Sequence, residues 1–122
     1  MFKIEHSKKA VILAILATFI ASGTVGAMAE SQFDKDHPRR AEVNKRLHKQ
    51  NAKTAREVKS GKLTQAQGQQ LHQEDHQIRQ EERSMASQNG GHITKQEQGT
   101  LNQQENAVNQ QRRQDIHSNQ NQ

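Results

Sequence analysis

The sequence predicts an all-α protein of about three helices, joined as consecutive antiparallel helical hairpins along a thin apolar seam, marginal in stability or partly disordered. Three observations carry this. The stretch Gly61-Lys62-Leu63-Thr64-Gln65-Ala66-Gln67-Gly68-Gln69-Gln70-Leu71 returns thirty positions later as Gly91-His92-Ile93-Thr94-Lys95-Gln96-Glu97-Gln98-Gly99-Thr100-Leu101, and the register holds through Asp75/Glu105, Ile78/Val108 and Arg83/Arg113. Apolar residues recur at spacings of four and seven, which is a helical period. Each copy opens with a turn glycine, then an apolar residue, then Thr with Gln or Glu three positions on, the layout of a capping box.

Residues 1–29 read as an export signal: Lys3, Lys8 and Lys9, an apolar run from Ala10 to Ala21, and small residues ending Ala27-Met28-Ala29. Cleavage is expected after Ala29. The apolar run is about a dozen residues, short of the roughly 20 that a spanning helix needs, so no membrane insertion is expected once the signal is removed. The product would be periplasmic or secreted. The sequence has no cysteine, which leaves no disulfide frame.

Residues 30–37 have no period and read as a disordered leader. The helical repeat domain is expected over 38–117. Pro38 suits the first turn of a helix, with Asp36 or His37 placed to cap it. Val43, Leu47, Thr54 and Val58 then form one stripe, ended by Lys59 and Gly61. Thr64 and Gln67 start a second helix, whose stripe is Leu71, Ile78 and Met85. One apolar residue per heptad is half of what a coiled coil uses, and Glu74, Asp75, Glu81 and Glu82 fill the positions between. Asn89-Gly90-Gly91 stops that helix. Thr94 and Glu97 start a third, striped by Leu101, Val108 and Ile116, and 118–122 read as a disordered tail.

The mature chain would carry 15 basic and 12 acidic residues, unevenly spread. Between Lys35 and Lys62 there are ten Lys or Arg against three acids, and from Leu63 onward five against seven. Twelve large apolar residues are few for an independent core, so self-association or a protein partner is expected. The basic helix offers Arg39, Arg40, Lys45, Arg46, Lys49 and Lys53 as a binding face. Specific nucleic-acid recognition is not expected, because Phe33 is the only aromatic residue after position 29 and stacking platforms are missing.

For catalysis the sequence offers little. Cysteine is absent, the histidines sit on polar helices, and so small a core cannot enclose a dry pocket. The chain is therefore expected not to be an enzyme and to need no cofactor. His72 and His76, four apart on one helix, are the candidate metal ligands, suited to Zn²⁺, Cu²⁺ or Ni²⁺ with a third ligand such as His48. Gly91, Ile93, Thr94 and Glu97 have the layout of the second half of an EF-hand loop. The early ligand positions, however, hold Ala86, Gln88 and Gly90, and in the first copy Arg56, Val58 and Ser60, which gives calcium too few oxygens. Gly61, Thr64, Gln67, Gly91, Thr94 and Glu97 are instead read as structural residues that start helices.

Two resemblances follow from these residues. His37-Pro38-Arg39-Arg40-Ala41-Glu42-Val43-Asn44, with Asn89-Gly90-Gly91-His92-Ile93-Thr94 and Leu101-Asn102-Gln103-Gln104-Glu105-Asn106, resembles a group of small exported bacterial helical proteins of unassigned function. Leu63-Thr64-Gln65-Ala66-Gln67 resembles the LTxxQ motif of the periplasmic helical chaperones and envelope-stress adaptors, with Ile93-Thr94-Lys95-Gln96-Glu97 as a variant copy. The second resemblance implies a small all-helical protein that binds unfolded clients as a dimer on a basic concave surface. The function expected from the whole reading is an exported helical binding protein of the bacterial envelope, stress- or chaperone-related and without catalysis. The alternative is a low-affinity transition-metal-binding protein using His72 and His76.

Overall fold

The computed structural model describes residues 31–122, and the segment read as an export signal lies outside them. The described residues form four helices and no strand: α1 (Gln32–Asp36), α2 (Pro38–Lys59), α3 (Gln65–Gln88) and α4 (Lys95–Gln120). The three long helices pack against one another pairwise, closing into a bundle, and α1 lies on α2.

Local hydrogen bonds explain where each helix begins. Thr64 Oγ1 accepts from the Gln67 N–H at 3.1 Å, and Gln67 Oε1 accepts from the Thr64 N–H at 2.9 Å. Thr94 and Glu97 repeat the same two bonds at 3.1 and 2.9 Å. Each box satisfies donors that a helix start leaves orphaned. Gly61, at φ 80°, and Gly91, at φ 93°, take the left-handed backbone that ends the preceding helix.

Helix is also placed at both ends beyond the domain read over 38–117. Ser31 and Asp34 form a third capping box, which makes α1 a turn of helix inside the stretch read as a leader. Phe33 of α1 then packs on the His37 ring at 4.8 Å, and the Arg40 guanidinium lies 5.0 Å from the Phe33 ring centre. Neither Asp36 nor His37 caps α2 with its side chain: Asp36 ends α1, and His37 makes no cap hydrogen bond. At the other end α4 runs past 117 to Gln120. Asn119 anchors it, donating to the Lys62 carbonyl at 2.9 Å and to Gln67 Oε1 at 2.7 Å.

Cross-helix pairs give the topology. Arg40 meets Glu82 and Gln50 meets Asp75, so α2 and α3 run antiparallel. Gln104 meets Glu81 and Asn89 meets Glu97, so α3 and α4 do too. Gln98 meets Glu42 and Arg112 meets Glu57, which sets α4 parallel to α2. The two glycine turns therefore sit at opposite ends of the bundle, and Leu63 and Ile93 each close one end instead of meeting as they would in an EF-hand pair.

The core is Val43, Leu47, Leu63, Leu71, Ile78, Ala86, Ile93, Leu101 and Val108, with Val58, Met85 and Ile116 packed around it. Between these apolar residues lie Asp75, Glu82, Glu105 and Arg112, each at most 3% exposed. They alternate with Leu71, Ile78, Leu101 and Val108 at spacings of four and three, the seam of a three-helix bundle. The second seam position, expected to be a solvated face, is buried and ionic.

Candidate functional site

The α2 cations divide into two sets once the helix is packed. The inward edge of α2 is set by Val43, Leu47 and Thr54, all buried. Arg40 lies beside that edge: its Nε pairs with Glu82, and its Nη1 donates to the Gly91 carbonyl at 3.0 Å. Arg46 leans inward as well, with Nε 2.7 Å from Glu105 and Nη2 donating to Asn106 Oδ1 at 2.7 Å. These two members of the expected binding face spend their charge on buried carboxylates, although the Arg46 side chain stays about a third exposed. Arg39 is exposed and donates to the Ile93 carbonyl at 3.5 Å.

The remaining members, Lys45, Lys49 and Lys53, are exposed, and none of them forms an ion pair among the described residues. Arg56 and Lys59 continue the row on the same outward side and are equally unpaired. Sequence reading stopped at Lys53, although the three- and four-residue spacing runs on to Lys59. At 1.5 Å per residue, Lys45 to Lys59 spans about 21 Å of helix. The nearby acids are occupied: Glu42 accepts from Gln98 at 2.7 Å, and Glu57 holds Arg112 with both oxygens at 2.6 and 2.7 Å. With Glu57 paired to Arg112, the row's five cations face one exposed acid, Glu42, whose bond from the neutral Gln98 amide leaves its charge in place, so the row projects net positive charge. The one large apolar side chain exposed among the described residues is Phe33, 39% accessible.

Inside the bundle, charge is graded along the axis. At the Gly61 end, each nitrogen of the Arg112 guanidinium has a partner, Glu57 on Nη1 and Asn109 Oδ1 on Nε and Nη2 at 3.1 and 2.8 Å. In the middle, Asp75 accepts one bond from Gln50 at 2.8 Å, and its second oxygen has no hydrogen-bond partner. Burial pushes its carboxyl up to about 7, against the opposing Gln50 bond. Glu105 is likewise raised to about 7 by burial. Arg46 pulls it down, and the charges of Asp75 and Glu42 push it back up. The Arg46–Glu105 contact is an ion pair without the alignment of a hydrogen bond. The layer thus holds two carboxyl groups that bind protons near neutral pH.

His72 and His76 share a face of α3 but have separate surroundings. His72 is half-buried, with Nδ1 2.7 Å from Asn51 Oδ1 on α2, and burial lowers its pKa. His76 is exposed, with Nε2 3.2 Å from the Gln80 amide nitrogen. No group of three or more metal-competent side chains occurs among the described residues. A different pair, which sequence spacing does not reveal because 55 residues separate its members, meets at the Gly91 end: His37 Nδ1 and His92 Nδ1 are 3.3 Å apart. They border a pocket of about 20 Å³ with Pro38, Arg39, Arg40 and Ile93.

The helix-start residues Gly61, Thr64, Gln67, Gly91, Thr94 and Glu97 all take the structural parts expected of them. Glu97 has a second part, accepting from Asn89 Nδ2 at 3.1 Å and so closing the α3–α4 turn on itself. No family model matches the chain, and comparison with curated proteins and with solved structures gives no match.

Proposed function

We propose that this chain is an exported helical binding protein of the bacterial envelope, without catalysis, which recognises an acidic protein surface through the outward row of α2. The observation that carries this is the unpaired row Lys45, Lys49, Lys53, Arg56 and Lys59 beside acids already engaged elsewhere. An extended row of like charge on a rigid helix attracts a complementary surface and speeds encounter, most strongly at low salt. Because Phe33 is the large apolar side chain left exposed, charge is favoured over apolar client capture as the means of recognition. The export address rests on residues 1–29, and a stress-related role on the LTxxQ resemblance.

The test is fluorescence anisotropy with a labelled poly-glutamate peptide as the acidic probe. Binding is expected at low ionic strength, weakening as salt screens the row, and lost in Lys45→Glu/Lys49→Glu/Lys53→Glu. Equal binding by that variant would refute the reading. Cross-linking in intact envelope then identifies the partner, which should present a run of Asp or Glu.

A further inference from the structure

We propose that His37 and His92 form a two-imidazole site for a divalent transition ion, which clips the start of α2 to the α3–α4 turn. The two Nδ1 atoms face one another at 3.3 Å, with ring centres 4.5 Å apart. Zinc and copper bind imidazole nitrogen at about 2.0–2.1 Å, so two nitrogens at that separation subtend an angle of about 107° at a shared ion, close to tetrahedral. The distance also suits an N–H···N hydrogen bond. When an ion enters, the bridging proton leaves Nδ1 of the donor ring and one is taken up from solvent at that ring's Nε2, so both neutral rings bind through Nδ1, each carries N–H at Nε2, and no net proton is released.

The surroundings meet the other requirements of a partial site. The adjoining pocket of about 20 Å³ has room for one water to serve as a further ligand. Arg40, which would otherwise repel the ion, is neutralised by Glu82 and turned onto the Gly91 carbonyl. Arg39 is directed to the Ile93 carbonyl. His92 is exposed, so an ion has a way in, while His37 also packs on the Phe33 ring, 4.8 Å away. With two imidazoles and water, the order of affinity should place Cu²⁺ ahead of Zn²⁺. The site does not depend on the acidic-surface reading, since it uses no residue of the Lys45–Lys59 row.

Calorimetric titration of the intact chain with Cu²⁺ and with Zn²⁺ tests it, together with the melting midpoint at saturating ion. The wild type should bind one ion per chain and melt higher with it, because an ion held only by the folded form stabilises that form. Both effects should be lost in His37→Ala and in His92→Ala, and kept in His72→Ala/His76→Ala. Neither His37→Ala nor His92→Ala removes a side-chain cap, so both should fold, which circular dichroism without metal verifies. One-to-one binding that survives in His37→Ala or His92→Ala, or that disappears in His72→Ala/His76→Ala, overturns the proposal. So does a wild type that takes up neither ion.

Discussion

Glu82 and Arg112 occupy the same position of the thirty-residue repeat, both are buried, and they carry opposite charge. The topology explains the reversal. Because α3 runs antiparallel to α2 and α4 runs parallel to it, equivalent repeat positions fall at opposite ends of α2. Glu82 meets Arg40 near its start, and Arg112 meets Glu57 near its finish. Two helices related by the thirty-residue repeat are thereby given different seats.

Exchanging the two charges, Glu82→Arg with Arg112→Glu, keeps composition and net charge but sets arginine against Arg40 and glutamate against Glu57. Urea unfolding should show a loss of more than about 3 kcal/mol, as when a buried pair is broken. Adding Arg40→Glu and Glu57→Arg should restore most of it. An exchanged protein as stable as the wild type would show that these pairs do not select the packing.

Asp75 and Glu105 make stability depend on pH in the direction opposite to most proteins. Their folded pKa values, about 7, lie above those of the unfolded chain, so the folded form holds protons that the unfolded form releases. The stabilisation is complete below pH 4 and is lost as pH rises through 7. His72, lowered by burial, acts the other way below its ordinary range. Between pH 5 and pH 8 the melting midpoint should fall, and a pKa change of this size corresponds to at most about 4 kcal/mol per carboxyl. Asp75→Asn with Glu105→Gln should flatten that profile. A midpoint that climbs from pH 5 to pH 8 in the wild type contradicts the reading.

Gly68 lets α3 approach α2. A Cβ built there would lie 2.4 Å from Val58 Cγ2, so Gly68→Ala forces Val58 to move although alanine is the better helix former. The expected cost is roughly 1–3 kcal/mol, as for overpacking elsewhere. In a Val58→Ala background the same change should be neutral or stabilising, and a double-mutant cycle by urea unfolding measures the difference.

The two capping boxes should prove nearly equal. Thr64→Ala and Thr94→Ala each remove one bond of matched geometry and should each cost about 1 kcal/mol. Each box partner also keeps a bond from an asparagine outside the box, Gln67 from Asn119 and Glu97 from Asn89, which keeps the two costs alike. Chemical denaturation of both variants decides this.

The two turns between the long helices are legible in the sequence because each is written within seven residues. Gly61, Thr64 and Gln67, and their counterparts Gly91, Thr94 and Glu97, need no knowledge of the rest of the chain. The α1 signal, Ser31 with Asp34, was also local, but a five-residue helix is too short to show a period. The ionic seam was not legible, because Asp75 or Glu105 reads as solvated until its neighbours from other helices are known. Arg40 and Arg46 read as free surface cations for the same reason, because the buried Glu82 and Glu105 that they pair with come from other helices. The four-and-three spacing of Leu71, Asp75, Ile78 and Glu82, repeated at Leu101, Glu105, Val108 and Arg112, did mark the seam for a reader willing to let charge occupy it.

Alternating apolar and charged residues in one seam also shapes how the bundle responds to temperature. Exposure of apolar surface on unfolding raises heat capacity, whereas exposure of polar surface lowers it. The nine core side chains and the buried Asp75, Glu82, Glu105 and Arg112 therefore act in opposition. The heat-capacity increment should be small for a bundle of this length, and the stability curve correspondingly broad and shallow. Such a curve bends little on cooling and moves cold denaturation to lower temperature, an even thermal response drawn from the same residues that make the core look thin.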